Sequence, residues 1–407
     1  MPSLRYGQRR LVSRAKSDKA SHLADGSRQP TLLFIHSSNE MYGADRVTLQ
    51  LIQAGLRTNQ EVIVLLPTDT AVVENCMTDS LATDQVRVEF ADIPIMRRRY
   101  FSVRGIFGLA SKYWRGFGCV RASRPEIVYM TTSACLMFAP IAWLLGVPRR
   151  VLHVQEMWSG YERKILCVLG FFTSEIVCIS DPTLRALPRY LQRSAQVITN
   201  GVHDPGEPKA INANVDRPMR LLVASRWNSW KGYATLINAW GSVGLNKSLT
   251  VLGGPPPSGE STDVPALVSQ LPNAEAVCIV GQVDDIGAYI DQADIVIIPS
   301  DAPEPFGLVA IEAFARGRPV IASNGGGLAK IVDHGRTGWL FEMRDHRQLA
   351  QIIDELTIPE VTSAGKNARS SYEMDYTEAV FIDRIEKVLT KTNVRRPKRR
   401  ALRCNSR

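Results

Sequence analysis

The chain has 407 residues, 45% of them hydrophobic, 22% charged and 7% aromatic. That balance excludes a disordered, collagen-like or simple coiled-coil chain, and the length suits two domains that each bury a core. The formal charge is +9, yet no nucleic-acid-binding motif accompanies it, so nucleic acid is not an expected partner. The basic residues concentrate in three places. Residues 1–29 carry seven Lys and Arg against Asp18 and Asp25. Residues 97–124 carry Arg97, Arg98, Arg99, Arg104, Lys112, Arg115, Arg121 and Arg124 with no acid. Residues 394–407 add seven more Lys and Arg with no acid. The seven cysteines are odd in number and widely spaced, and none forms a C-x-x-C, which indicates neither a disulfide framework nor a zinc site.

In chain order, residues 1–29 read as a basic extension, followed by a β/α series over 30–202. Its expected strands are Thr31–His36, Glu61–Leu66, Val86–Phe90, Glu126–Met130, Arg150–Gln155, Glu175–Ile179 and Ala195–Thr199. Helical patterns lie between them at Ala44–Arg57, Gly105–Val120 and Ala134–Leu145. Strands that are continuous Val, Ile and Leu runs mark a parallel sheet covered on both faces. The segment 97–124 interleaves its cations with Tyr113, Trp114 and Phe117, a pattern that fits either an interfacial helix on an anionic membrane or a solvated surface helix. The longest apolar run, Cys135–Val147, has thirteen residues, too few to span a bilayer. With no apolar stretch behind the basic N-terminus, a cytoplasmic protein is expected, peripheral on the inner membrane face if 97–124 binds lipid.

The turn formers of 203–217 read as a linker. A second β/α series then runs over 218–375, with strands expected at Arg220–Ala224, Leu249–Leu252, Val277–Val280, Asp294–Pro299 and Pro319–Ala322. A helix at 376–390 and a basic tail at 391–407 close the chain. Two such series imply an α/β protein of two doubly wound domains with a ligand cleft at the carboxyl ends of the strands.

The densest chemistry lies in Pro299–Ser323. A loop carrying Glu304 leads through Pro305, Phe306 and Gly307 into a helix that contains Glu312. The first N–H groups of that helix can hold a phosphate, with Gly307 allowing close approach. Glu304 and Glu312 flank this anion site and can accept hydrogen bonds from hydroxyl groups on either side of a diphosphate, which is the layout of a nucleotide sugar. Arg226 and Lys231 follow the first strand of the second series and can offset the charge of a departing diphosphate. No H-E-x-x-H or G-x-S-x-G occurs, and no D-x-D pair suits a metal-bound donor.

The block from Glu304 to Glu312, with Ala315-Arg316-Gly317-Arg318-Pro319-Val320 and Gly325-Gly326-Gly327 after it, resembles the E-x7-E motif of family 4 retaining glycosyltransferases, which have the two-domain GT-B fold. The resemblance runs over roughly 30–390. It implies that Glu304 contacts sugar hydroxyls and Glu312 the ribose, with the backbone of Phe306, Gly307, Leu308 and Val309 meeting the phosphates. Arg226 and Lys231 are similar to the family's Arg-x4-Lys pair. Gly43 resembles the glycine of the loop facing donor and acceptor, although Tyr42 stands where the family often has a second glycine. His153 is placed beside the reacting sugar and Val283 beside the nucleotide base. The implied activity is transfer of a sugar from a nucleotide diphosphate sugar, without metal or cofactor, to a glycan or lipid-linked glycan of surface-polysaccharide synthesis. The first domain would hold the acceptor and the second the donor. Two other readings share the architecture, a nucleotide-sugar 2-epimerase and a non-catalytic partner in a polysaccharide assembly complex.

Overall fold

The computed structural model describes residues 30–69, 76–81, 85–97, 103–212, 214, 217–256 and 260–391. The terminal basic segments, 1–29 and most of 391–407, lie outside these residues, as do Arg98 and Arg99 of the internal basic segment. Seven strands form the first sheet: β1 Thr31–Ile35, β2 Glu61–Pro67, β3 Val86–Ala91, β4 Ile127–Met130, β5 Arg149–Val154, β6 Glu175–Cys178 and β7 Ala195–Val197. Their order is β3-β2-β1-β4-β5-β6-β7 and each pair is parallel. Six strands form the second: β8 Met219–Ala224, β9 Lys247–Leu252, β10 Val277–Gly281, β11 Ile295–Ile298, β12 Val320–Ser323 and β13 Gly338–Phe341. Their order is β10-β9-β8-β11-β12-β13, again parallel throughout. Helices cover both faces, which is why β1, β4 and β11 are buried along their whole length.

Each sheet reverses its winding beside its first strand, between β1 and β4 and between β8 and β11. Ligands bind in doubly wound folds at such switch points, beyond the carboxyl ends of the strands. The helix Gly43–Leu56 starts just after β1, and the helix Leu308–Ala315 follows the loop after β11. Their first turns meet across the domain boundary, where a Cβ on Gly43 would lie 2.8 Å from Leu308 Cδ1. The two switch points therefore face each other.

One element is additional and one differs. Strand β13 has no signature in the sequence, because its four residues begin with Gly338, a poor strand former. Glycine is required there, since a Cβ at Gly338 would lie 2.2 Å from the Val320 carbonyl oxygen. The helix expected at Ala134–Leu145 is a 3-10 turn, Ser133–Met137, followed by an α-helix, Phe138–Leu144. Pro140 sits in the first turn of that α-helix, where a missing N–H costs little.

The last helix, Glu378–Thr390, packs with Phe381, Ile382 and Ile385 into the core of the first sheet, beside Leu51 and Val151. Arg149 holds its end. The guanidinium pairs with Glu175 at 2.8 and 3.0 Å and donates to the carbonyls of Leu389 and Val388 at 2.7 and 2.5 Å. A cation at a helix C-terminus satisfies carbonyls that have no partner inside the helix. The helix Val103–Ser123 occupies the basic segment. Part of its charge is already matched, because Lys112 and Arg115 both pair with Asp92 and Arg97 pairs with Asp69. Among the described residues no helix is long and apolar enough to cross a membrane.

Replacing the buried Arg149 by Ala strips the half-buried Glu175 carboxylate and two helix carbonyls of their partner. The expected loss is about 3–5 kcal/mol in urea unfolding. A variant as stable as the wild type would show that the last helix is held by apolar packing alone.

Candidate active site between the two sheets

The loop after β11 carries Glu304 and is fixed by backbone contact with the loop after β12. Glu304 forms a parallel bridge with Gly326, and the Gly327 N–H donates to the Glu304 carbonyl at 2.7 Å. No side chain fits at this contact. A Cβ on Gly326 would lie 2.1 Å from the Glu304 carbonyl oxygen, and one on Gly327 would lie 2.3 Å from that of Phe306. Gly326 and Gly307 have φ of +59° and +123°, values that L side chains rarely adopt. Gly307 is the N-cap of the helix Leu308–Ala315, so the chain turns sharply and presents the first N–H groups of that helix toward the cleft.

Glu304 points back to the second sheet. Its Oε1 accepts hydrogen bonds from Lys231 Nζ and Ser300 Oγ, both at 2.6 Å. Lys231 is positioned by a short 3-10 turn, Ser229–Lys231, after β8. Gly232 follows at φ +74° and abuts the Pro299 carbonyl, where a Cβ would lie at 1.8 Å. Arg226 stands at the rim rather than in the cleft wall. Its guanidinium stacks over the Tyr42 ring of the first domain, 3.9 Å from the ring centroid. Tyr42, the departure from the double glycine, thus supplies a platform for a cation of the other domain.

A buried network shapes the loop that carries Tyr42 and Gly43. His36 is fully buried, with Nε2 3.1 Å from Asp45 Oδ1 and Nδ1 2.6 Å from Thr131 Oγ1. Asp45 also accepts from Ser38 Oγ and from the N–H groups of Glu40 and Tyr42. Burial pushes the Asp45 carboxyl up, but the hydrogen bonds from His36, Ser38 and Glu40 outweigh it and hold the pKa below the usual range. An ionised carboxylate therefore ties the loop to the start of the helix Gly43–Leu56.

Two cavities meet at Gly43, Leu308 and Val309. One, of about 300 Å3, is lined by Lys231, Ser300, Glu304 and Phe306–Val309 from the second domain and by Gln155, Glu156 and Asn200 from the first. The other, of about 630 Å3, holds Tyr42, Arg46, Asp285, Ile286, Glu312 and Arg316. Glu312 faces Arg46 across the cleft at 3.3 Å. Burial raises its pKa to about 7, and the neighbouring Arg46 and Arg316 only partly offset that effect.

The structure thus brings together Gly43, Lys231, Glu304, Phe306, Gly307, Leu308, Val309 and Glu312 in these two cavities. It does not place His153 there. His153 is fully buried, with Nδ1 2.9 Å from the Tyr129 hydroxyl and its ring 6.3 Å from that of Phe381. Burial pushes its pKa down to about 3 and keeps the imidazole neutral. Strand alternation is the reason, since His153 shares a face with Val151 under the last helix. Gln155 and Glu156, just beyond the end of β5, reach the cavity in its place. Val283 packs against the second-domain core, and its neighbours Asp285 and Ile286 line the larger cavity. Asn200 and Ser300 join the site without a sequence motif, although Ser300, two residues past the end of β11, has a positional signal. Among the described residues no group of three His, Cys, Asp or Glu side chains is placed to hold a metal ion.

Two parallel sheets facing one cleft, with these helix starts between them, define a GT-B fold. The crystal structure of HepE from Anabaena in complex with UDP and glucose has the same arrangement, with a TM-score of 0.71 over 89% of this chain and 100% of that one at 20% identity. Residues 207–370 match the model of the family named glycosyl transferases group 1. A glycogen synthase of Mycobacterium tuberculosis is 29% identical over 235 residues, 56% of this chain and 54% of that protein. D-inositol 3-phosphate glycosyltransferase 2 of Catenulispora acidiphila is 44% identical over 163 residues, 37% of this chain and 38% of that protein. The chain spans about half or less of the length of these curated relatives. The match to glycosyl transferases group 1 falls on the linker and the second domain.

The elevated pKa of Glu312 gives a signed test. A raised carboxyl stabilises the folded state below its unfolded pKa of 4.5 and loses that contribution as pH rises through about 7. Relative to Glu312→Gln, the wild type should lose stability over that window, with a slope approaching about 1.4 kcal/mol per pH unit. Stability curves that run parallel in the two proteins would mean that Glu312 titrates as an ordinary surface carboxylate.

Proposed function

We propose that the chain is a retaining glycosyltransferase of the family 4 type, which transfers a sugar from a nucleoside diphosphate sugar to an acceptor hydroxyl. The observation that carries this reading is the convergence of Lys231, Glu304 and the start of the helix Leu308–Ala315 on one cavity, with Glu312 on the adjoining one. The diphosphate sits against the N–H groups of Leu308 and Val309, with Lys231 and Arg226 as its cations. Glu304 accepts hydrogen bonds from sugar hydroxyls, and Glu312 from the ribose. The solved complexes of HepE with UDP and UDP-glucose support a donor of this class on the shared fold.

In the reaction the bond between the anomeric carbon and the phosphate oxygen breaks, and its electron pair leaves with the diphosphate. The acceptor oxygen bonds to the same face of the sugar, and its proton passes to the departing phosphate oxygen. The ligand-free contact between Lys231 and Glu304 suits this step. As negative charge grows on the leaving oxygen, Lys231 exchanges a carboxylate shared with Ser300 for the phosphate, so its contribution is largest in the transition state. The acceptor we propose is a lipid-linked glycan, reached from the cytoplasmic side of a membrane and bound against the first domain near Gln155 and Glu156.

Because fixed cations and a helix start supply the positive charge, activity should survive EDTA. Complete loss, restored by magnesium or manganese, would overturn the metal-free account. Lys231→Ala should lower turnover at saturating donor by roughly 10–150-fold, the worth of a hydrogen bond to a charged group. Glu304→Ala should reduce turnover and sugar selectivity while leaving the bare nucleoside diphosphate bound. Donor turning into its epimer without acceptor would instead favour an epimerase. Failure to bind any nucleoside diphosphate would favour a non-catalytic partner.

A further inference from the structure

The helix Gly160–Gly170 of the first domain carries two apolar stripes. Leu166 and Gly170 are buried against the core. Tyr161, Ile165, Val168 and Phe171, spaced by four, three and three residues, point away from it and lie open to solvent. Tyr161 is 89% exposed, Val168 66% and Phe171 71%. The stripe continues onto the neighbouring helix Phe138–Leu144. Phe172 contacts the rings of both Phe171 and Trp143, at 5.7 and 5.4 Å, and Trp143 and the adjacent Leu144 are exposed as well. Single exposed apolar residues are ordinary on a protein surface, but a contiguous stripe of six marks a surface that something covers.

The charges beside the stripe indicate what covers it. Arg163 and Lys164 lie on the same helix and are exposed. The short helix Arg189–Gln192 abuts its end, with the Tyr190 hydroxyl donating to the Cys167 carbonyl and Leu191 against Gly170. It adds exposed Arg189 and, next in sequence, Arg193. These four cations make no ion pair among the described residues, unlike Lys112 and Arg115 of the basic segment. Aliphatic and aromatic side chains flanked by unpaired Lys and Arg fit the headgroup layer of an anionic bilayer. A protein interface would deplete lysine at such a place.

The start of the same helix leads to the active site. Ser159, Glu162 and Leu166 line a cavity of about 190 Å3 that adjoins the Glu304 cavity through Glu156, which lines both. We infer that the exposed face of the helix Gly160–Gly170 seats the first domain on an anionic lipid surface, with this smaller cavity opening beside the headgroups. Only the cavity's role as an entry for acceptor rests on the transferase reading; the docking does not.

The test is co-sedimentation of the full chain with vesicles of phosphatidylcholine alone and of phosphatidylcholine mixed with phosphatidylglycerol. Binding should require the anionic lipid and weaken with salt. Ile165→Ser with Val168→Ser should lower affinity roughly tenfold or more, and Arg163→Gln with Lys164→Gln should do so to a similar extent. All four positions are exposed, and unchanged melting temperatures would confirm that the variants fold. Stripe variants that bind like the wild type would assign vesicle binding to the basic tails and overturn the proposal. So would a concentration-dependent dimer, seen in sedimentation without vesicles and abolished by Phe171→Ser. Thermal stabilisation by nucleoside diphosphates should persist in every stripe variant. Its absence from the wild type, with vesicle binding intact, would remove the transferase reading and leave the docking face standing.

Discussion

The Glu304 loop lies so close to Gly326 and Gly327 that the two backbones touch with no room for a side chain. That contact sets the geometry on which the rest of the cleft depends. It fixes the direction in which the chain leaves β11 and places the Glu304 carboxylate against Lys231 and Ser300. It also leaves Gly307 in the left-handed region, so that the next helix begins with its N–H groups turned to the cavity. Backbone held by backbone tolerates little displacement. A site that relies on fixed dipoles to receive a growing negative charge needs that rigidity, because preorganised groups pay no reorganisation when the charge appears.

The opposing wall is built differently. The loop before Gly43 is held by one buried carboxylate, Asp45, which gathers His36, Ser38 and the N–H groups of Glu40 and Tyr42. Across the cleft the domains meet through weaker contacts: Arg226 stacked on Tyr42, Arg46 opposite Glu312, and the Ser180 hydroxyl on the Pro305 carbonyl at 2.5 Å. Apolar packing joins the domains as well, since Ile179 of the first lies in one buried core with Phe306 and Leu328 of the second.

Much of this was legible in the sequence. The buried strands announce themselves as Val, Ile and Leu runs because both sheet faces are covered. Glu304, Gly307 and Glu312 are readable because anion binding at a helix start needs a loop, a glycine and a helix in that order. What could not be read is where a strand stops and what lies at long range. His153 and Gln155 have the same parity, but β5 ends at Val154, so His153 stays in the core while Gln155, past the strand end, reaches the cavity. The Arg149 cap on a helix 240 residues away, and the Tyr42 platform for Arg226, join distant parts of the chain with no local pattern to announce them. The apolar stripe from Tyr161 to Phe171 carries no signal of its exposure, since a sequence does not say which of two stripes on a helix is covered.

The central claim is that the start of the helix Leu308–Ala315 is the diphosphate site. The most direct measurement is a crystal structure of the protein with whichever nucleoside diphosphate most raises its melting temperature. The account predicts phosphate oxygens within hydrogen-bond reach of the Leu308 and Val309 N–H groups and of Lys231, with the ribose hydroxyls on Glu312. A nucleotide bound elsewhere, or one whose phosphates reach the protein through a metal ion instead of these groups, would contradict it.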